Sequence, residues 1–161
     1  MMKRIVISAG AVMAMLLSGA ASAAGAPAVN DGYDWTMRVN DEERVQSAIL
    51  AYEVDGTDDQ PLNFTCEEGG DRVFAGISGG APDLTAIELA SGDQRVRLTG
   101  TTDADELPTF TAQEMPATSP LFRAFAANGW LRMTADGATI DMAATASGKQ
   151  AIARFAAFCA G

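Results

Sequence analysis

The chain has 161 residues, with eleven basic against twenty-one acidic side chains, no histidine and two cysteines. A net charge of −10 disfavours polyanionic partners such as nucleic acid or anionic lipid surfaces. Without histidine the chain lacks the commonest general base and metal ligand, so serine triads and the usual zinc sites lose their main component.

Met1-Met2-Lys3-Arg4 forms a short basic stretch, Ile5 to Leu17 is uncharged and mostly apolar, and Ala21-Ser22-Ala23 fits a small-x-small cleavage pattern. The apolar run is shorter than the roughly 20 residues a spanning helix needs. The expectation is a removed signal peptide over residues 1–23, cut after Ala23, with Ala24 and Ala26 as alternatives. No cysteine stands near the cut to accept a lipid. This predicts a mature chain without a membrane anchor, periplasmic or secreted, and of bacterial type. Loss of Lys3 and Arg4 leaves nine basic and twenty-one acidic side chains, a net charge of −12. Such a surface suits solubility or a basic partner. The remaining length suits one domain with a real core.

Residues 24–32 are small and turn-prone and predict a flexible start. A single domain then runs from 33 to 161. Trp35, Met37 and Val39 alternate with Thr36, Arg38 and Asn40, the period of a half-buried strand. Ala48 to Val54 predicts a strand with Ala48, Leu50, Tyr52 and Val54 inward and Ile49, Ala51 and Glu53 on the other face. After the turn Asp55 to Pro61, Asn63 to Cys66 and Arg72 to Ile77 pair as a hairpin around Glu67 to Asp71. Leu84 to Leu89 and Arg95 to Leu98 give two more strands about Ser91-Gly92-Asp93. Thr99 to Pro108 is polar and acidic and predicts an exposed loop, followed by strand-like Thr109 to Met115.

Ser119-Pro120 starts a helix: serine caps the first turn, and proline at its first position has no N–H to waste. Leu121, Phe122 and Phe125 supply its apolar face, and Asn128-Gly129 ends it. Trp130 to Thr134 and Ala138 to Met142 flank Ala135-Asp136-Gly137, the clearest hairpin in the chain. Last comes a closing helix, with Ser147 as the expected N-cap and Ile152, Phe155, Ala156 and Cys159 on one face.

Cys66 and Cys159 in an exported chain predict one disulfide. They are 93 positions apart, and a bridge of that span stabilises by about 4–5 kcal/mol in the loop-entropy picture. The expected architecture is therefore α+β: an antiparallel sheet, curled toward a sandwich or barrel, with two short helices, the C-terminal one tied to the sheet by the disulfide.

The ending built on Gly148, Ala151, Ile152, Phe155 and Cys159, after a short hairpin, resembles the end of several uncharacterised exported bacterial proteins. It is also similar to periplasmic accessory proteins associated with type VI secretion. The likeness covers about the last thirty of the 161 residues. It implies an exported, disulfide-closed, non-enzymatic protein and carries over no functional residue.

Two acidic loops, Asp55 with Asp58 and Asp59, and Asp103 with Asp105 and Glu106, supply oxygen ligands but lack the EF-hand spacing. They are expected to be solvated turns, and no catalytic, cofactor or metal residue is assigned. Arg95 and Arg97 share one strand face and offer a place to an anion or acidic partner; Arg123, Arg132 and Arg154 complete the basic set of the second half, and the expectation for all five is pairing with the many surface acids, each exposed pair contributing little. The leading functional expectation is a periplasmic binding or accessory module that meets a protein partner in the cell envelope, without catalysis. A second is a small-ligand carrier with an apolar cavity lined by Trp35, Tyr52, Phe64, Phe74 and Trp130, which a filled interior would count against. A third is a carboxylate-dependent hydrolase, needing two acids across a cleft.

Overall fold

The computed structural model describes residues 25–161. The expected signal peptide and its cut after Ala23 lie outside the described residues. Alternation of apolar and polar side chains becomes strand wherever it was expected, and the elements run β1 (Tyr33–Asn40), β2 (Ser47–Val54), β3 (Leu62–Glu67), β4 (Val73–Ser78), β5 (Ala86–Ser91), β6 (Gln94–Asp103), β7 (Thr109–Ala112), α1 (Pro120–Asn128), β8 (Trp130–Ala135), β9 (Ala138–Ala143) and α2 (Ala146–Ala160). The described strands form one nine-stranded antiparallel sheet, in the order β1-β2-β3-β4-β7-β6-β5-β8-β9.

The sheet curls until its outer strands approach one another, nearly closing a barrel. Side chains rather than a backbone ladder bridge the remaining gap: Trp35 Nε1 donates to the Met142 carbonyl at 3.2 Å, and Asn30 Nδ2 to the Asp141 carbonyl at 2.7 Å. Asn30 Nδ2 also donates to the Tyr52 hydroxyl at 3.0 Å, which ties down the segment just before β1.

The inner face of the sheet and the apolar faces of both helices share one core. Trp35, Tyr52, Phe64, Phe122, Phe125 and Phe155 are all fully buried in it. Most of their rings meet edge-on or tilted, as the ring quadrupole favours, and Trp35 and Phe64 stack at 6.0 Å. Trp35 and Phe125 lie 4.8 Å apart, Phe64 and Phe122 5.4 Å, and Phe122 and Phe155 6.0 Å.

Cys66 and Cys159 are bonded, so the disulfide ties α2 to the end of β3. The backbone reinforces the tie. The amides of Gly69 and Asp71, in the β3–β4 turn, donate to the carbonyls of Phe158 and Cys159 at 2.9 and 2.8 Å. Those carbonyls belong to the last turn of α2, which has no partners within the helix.

The larger differences from the sequence expectation are four. β5 runs over Ala86–Ser91 and not Leu84 to Leu89, because Ser91 pairs with Gln94 to close the hairpin. β6 continues through Thr99–Asp103, because Gly100 to Asp103 find cross-strand partners in Ala112 to Thr109 of β7; threonine suits a pleated, half-buried surface once a partner is present. β7 ends at Ala112, and Met115 makes only an isolated bridge to Val73. The N-cap of α2 is Thr145, whose hydroxyl accepts from the Ser147 and Gly148 amides, so Ser147 lies inside the helix. Asp34 on β1 fixes this start by accepting from the Thr145 amide at 3.0 Å. A Cβ on Gly148 would fall 2.0 Å from Asp34 Oδ1, so glycine is what lets the helix approach β1.

Candidate functional site

One expectation concerned the interior. Trp35, Tyr52 and Phe64 are buried and meet one another and the helix aromatics in the core. Phe74 is outside that core on the opposite sheet face, with the Arg72 guanidinium 6.0 Å from its ring centroid, and Trp130 is buried apart from the main cluster. The five aromatics therefore do not line a common cavity, and this counts against an interior ligand.

The largest cleft of interest lies where the sheet forks. β6 pairs with β5 over Gln94–Thr99, and with β7 only from Gly100 onward. The chain after β7 turns toward β4, where Met115 and Val73 exchange two backbone hydrogen bonds. A wedge opens between Gln94–Leu98 of β6 and Gln113–Pro116. It holds a cleft of about 320 Å³, closed at one end by Ser119, Pro120 and Leu121 at the start of α1. Leu98, Met115 and Leu121, all buried, and half-buried Val96 form its apolar floor. Gly100 marks the apex. A Cβ there would lie 2.2 Å from the Thr111 carbonyl oxygen, so glycine permits β6 to press against β7 before the strands diverge.

Other hollows are smaller. One of about 250 Å³ sits at a barrel end, among Pro61, Ile77, Leu84, Met133 and Ile140. Another of about 210 Å³ lies over Thr65, Arg72 and Phe74, above strands whose backbone groups are already paired on both sides.

The charged groups fall into distinct settings. Arg95 reaches Glu88 at 3.5 Å across the β5–β6 pair. Arg132 and Asp141 form a two-pronged pair on β8 and β9, at 2.6 and 2.8 Å, and the guanidinium holds the Asp141 carboxyl below the usual aspartate range. Among the described residues, Arg97, Arg123 and Arg154 make no ion pair. Of the acidic loops, Asp59 accepts from the Tyr33 hydroxyl, which raises the tyrosine above its ordinary pKa. Among the described residues, no three His, Cys, Asp or Glu side chains converge as a ligand set.

Sequence reasoning missed Glu53. Its alternation placed it on the outer face, yet only 6% of it is exposed. Both oxygens of its carboxylate accept from Arg38, and Gln60 Nε2 donates at 2.9 Å. The signal was present in the sequence, since Arg38 faces the same side of the adjacent strand, four residues along β1 from Asp34, the register partner of Glu53. The cleft was missed as well. It arises from the divergence of β6 and β7, a property of pairing rather than of either segment.

Comparison with protein-family models, curated protein sequences and solved structures gives no match.

Proposed function

We propose that this chain is an exported module, periplasmic or secreted, that acts by contacting another protein and not by catalysis. The observation that carries the reading is the fork between β6 and β7, where an apolar floor lies open beside a strand with no neighbour on that side. A buried apolar surface with polar groups at its rim is the composition of a protein-contact patch. The disulfide supports an oxidising compartment, since such bonds persist there and are rare in the cytosol. The expected signal at residues 1–23 agrees with that compartment.

The test places a photo-crosslinking residue at Gln113, on the lip of the cleft, or at Asp136, in the β8–β9 turn and outside the cleft lining, in cells that export the protein. A specific protein captured from Gln113 and not from Asp136 is expected. Equal capture from both positions, or no capture together with a small molecule retained in native mass spectrometry, would replace this reading with the carrier.

A further inference from the structure

We infer that the cleft receives an extended peptide segment, acidic on one face and aliphatic on the other, which adds as a strand to the open edge of β6. This deepens the protein-contact reading and rests on it.

The backbone directions follow from the ladder. In an antiparallel strand, successive residues turn their N–H and C=O groups to opposite sides. Gly100 donates to the Thr85 carbonyl, on the β5 side, while the Thr99 carbonyl accepts from Gln113, on the β7 side. Ser91 and Gln94 close the β5–β6 hairpin in the same phase. Gln94, Val96 and Leu98 therefore bond to β5, and Arg95 and Arg97 turn their backbone groups into the cleft. Among the described residues no strand pairs with β6 on that side before Gly100. Two N–H and two C=O groups stand ready over Gln94–Leu98, about 16 Å of extended chain, enough for five residues. An unpaired edge of this kind is a template for strand addition.

The two faces of the edge set the chemistry of the partner. Val96 and Leu98 point to the floor with Met115 and Leu121, so inward residues of an added strand meet apolar carbon. Arg95 and Arg97 project their side chains on the other face, and both are exposed. Glu88, opposite Arg97, is the one acid in register with them on β5 and also pairs with Arg95, while Glu114 on the other lip of the cleft pairs with Arg72 at 3.6 Å, which leaves the pair of arginines with surplus positive charge. In a chain with twenty-one acidic and eleven basic side chains, this concentration of cations is local and selects acids at the outward positions of the incoming strand. A volume of about 320 Å³ is at the lower limit for small-molecule pockets, whereas an edge five residues long suits a peptide.

The probe is an acetylated, amidated heptapeptide that alternates glutamate and valine. Its controls are a lysine–valine peptide and the glutamate–valine peptide N-methylated at alternate amides. Amide hydrogen exchange is read by NMR on the purified mature protein. In the free protein the Arg95 and Arg97 amides are expected to exchange fast, and those of Val96 and Leu98 slowly. The glutamate–valine peptide should slow Arg95 and Arg97 by about tenfold or more, the N-methylated one should not, and the R95E/R97E variant should weaken binding about tenfold and favour the lysine peptide. The inference fails if Arg95 and Arg97 are already protected in the free protein. It fails equally if the N-methylated peptide binds as well as its parent, or if both amides become protected with rising protein concentration alone, which assigns the edge to a second copy. Capture of a specific protein from Gln113 with no protection of these two amides would keep the protein-contact reading and remove strand addition.

Discussion

β3 and β6 belong to one sheet, separated by β4 and β7, yet they are held in different ways. β3 has a strand on each side, β2 along its whole length and β4 over Asn63–Cys66, and its end is tied covalently to α2. β6 has one partner at a time: β5 for its first six residues and β7 for its last four. Where both edges are paired, every backbone group is satisfied by the fold itself, and the surface above offers only side chains. Where the strand changes partner, backbone groups and apolar floor are presented together. The fold thus concentrates its cross-links around β3 and leaves unpaired backbone groups at β6, where the proposed contact would form.

The largest expected effect comes from cutting the tie at β3. The C66S/C159S variant should lose about 4–5 kcal/mol in urea unfolding, by loop entropy, and its β3 amides should lose their advantage in protection over β6. A loss under about 1 kcal/mol would mean that backbone contacts between the β3–β4 turn and α2 hold the helix without the bond.

Phe125→Ala tests what the two regions share. Phe125 is fully buried against Trp35, Phe64 and Phe122, and α1 also packs on β5 and β6. Its truncation should destabilise by about 3–5 kcal/mol and lower protection in β3 and β6 together. A drop confined to β6 would show that α1 supports the fork alone.

Gly148→Ala sharpens the comparison on the β1–α2 side. Its new methyl group meets the Asp34 carboxylate, and a loss of about 1–3 kcal/mol is expected from calorimetry. Asp34→Ala removes the acceptor for the Thr145 amide, at about 0.5–2 kcal/mol. Combined, the two should be less damaging than their sum, because Asp34→Ala also removes the clash. Strict additivity would place the strain elsewhere.

The smallest effect belongs to Asp141, on the strand that faces β1 across the gap. Arg132 lowers its pKa in the folded state, so the pair stabilises above the ordinary aspartate range and loses that contribution as pH falls through the folded value. Asp141→Asn should melt slightly lower than the parent at pH 7, with the difference closing as pH falls below the ordinary aspartate range. A constant difference across that range would show that the pair contributes geometry and not charge.

Much of this architecture was present in local pattern. Period-two alternation marks β1 to β4, and Ser119-Pro120 and Asn128-Gly129 bound α1. Asp136-Gly137 turns β8 into β9 with positive φ at both residues, 46° and 74°. The two cysteines of the chain pointed to each other, and they are bonded. These features follow from a residue's own backbone preference or from its spacing to near neighbours.

The remainder depended on which segments met. Thr99–Asp103 resembles a polar loop until β7 supplies partners for it, and Thr145 takes the cap from Ser147 because Asp34 of β1 holds the helix start from outside. Glu53 is buried by Arg38 and Gln60 acting from separate elements. The cleft has the same origin. Nothing within Gln94–Leu98 marks it as an edge, since a strand's sequence specifies its faces by alternation, whereas its neighbours are fixed only when distant strands compete for its hydrogen bonds.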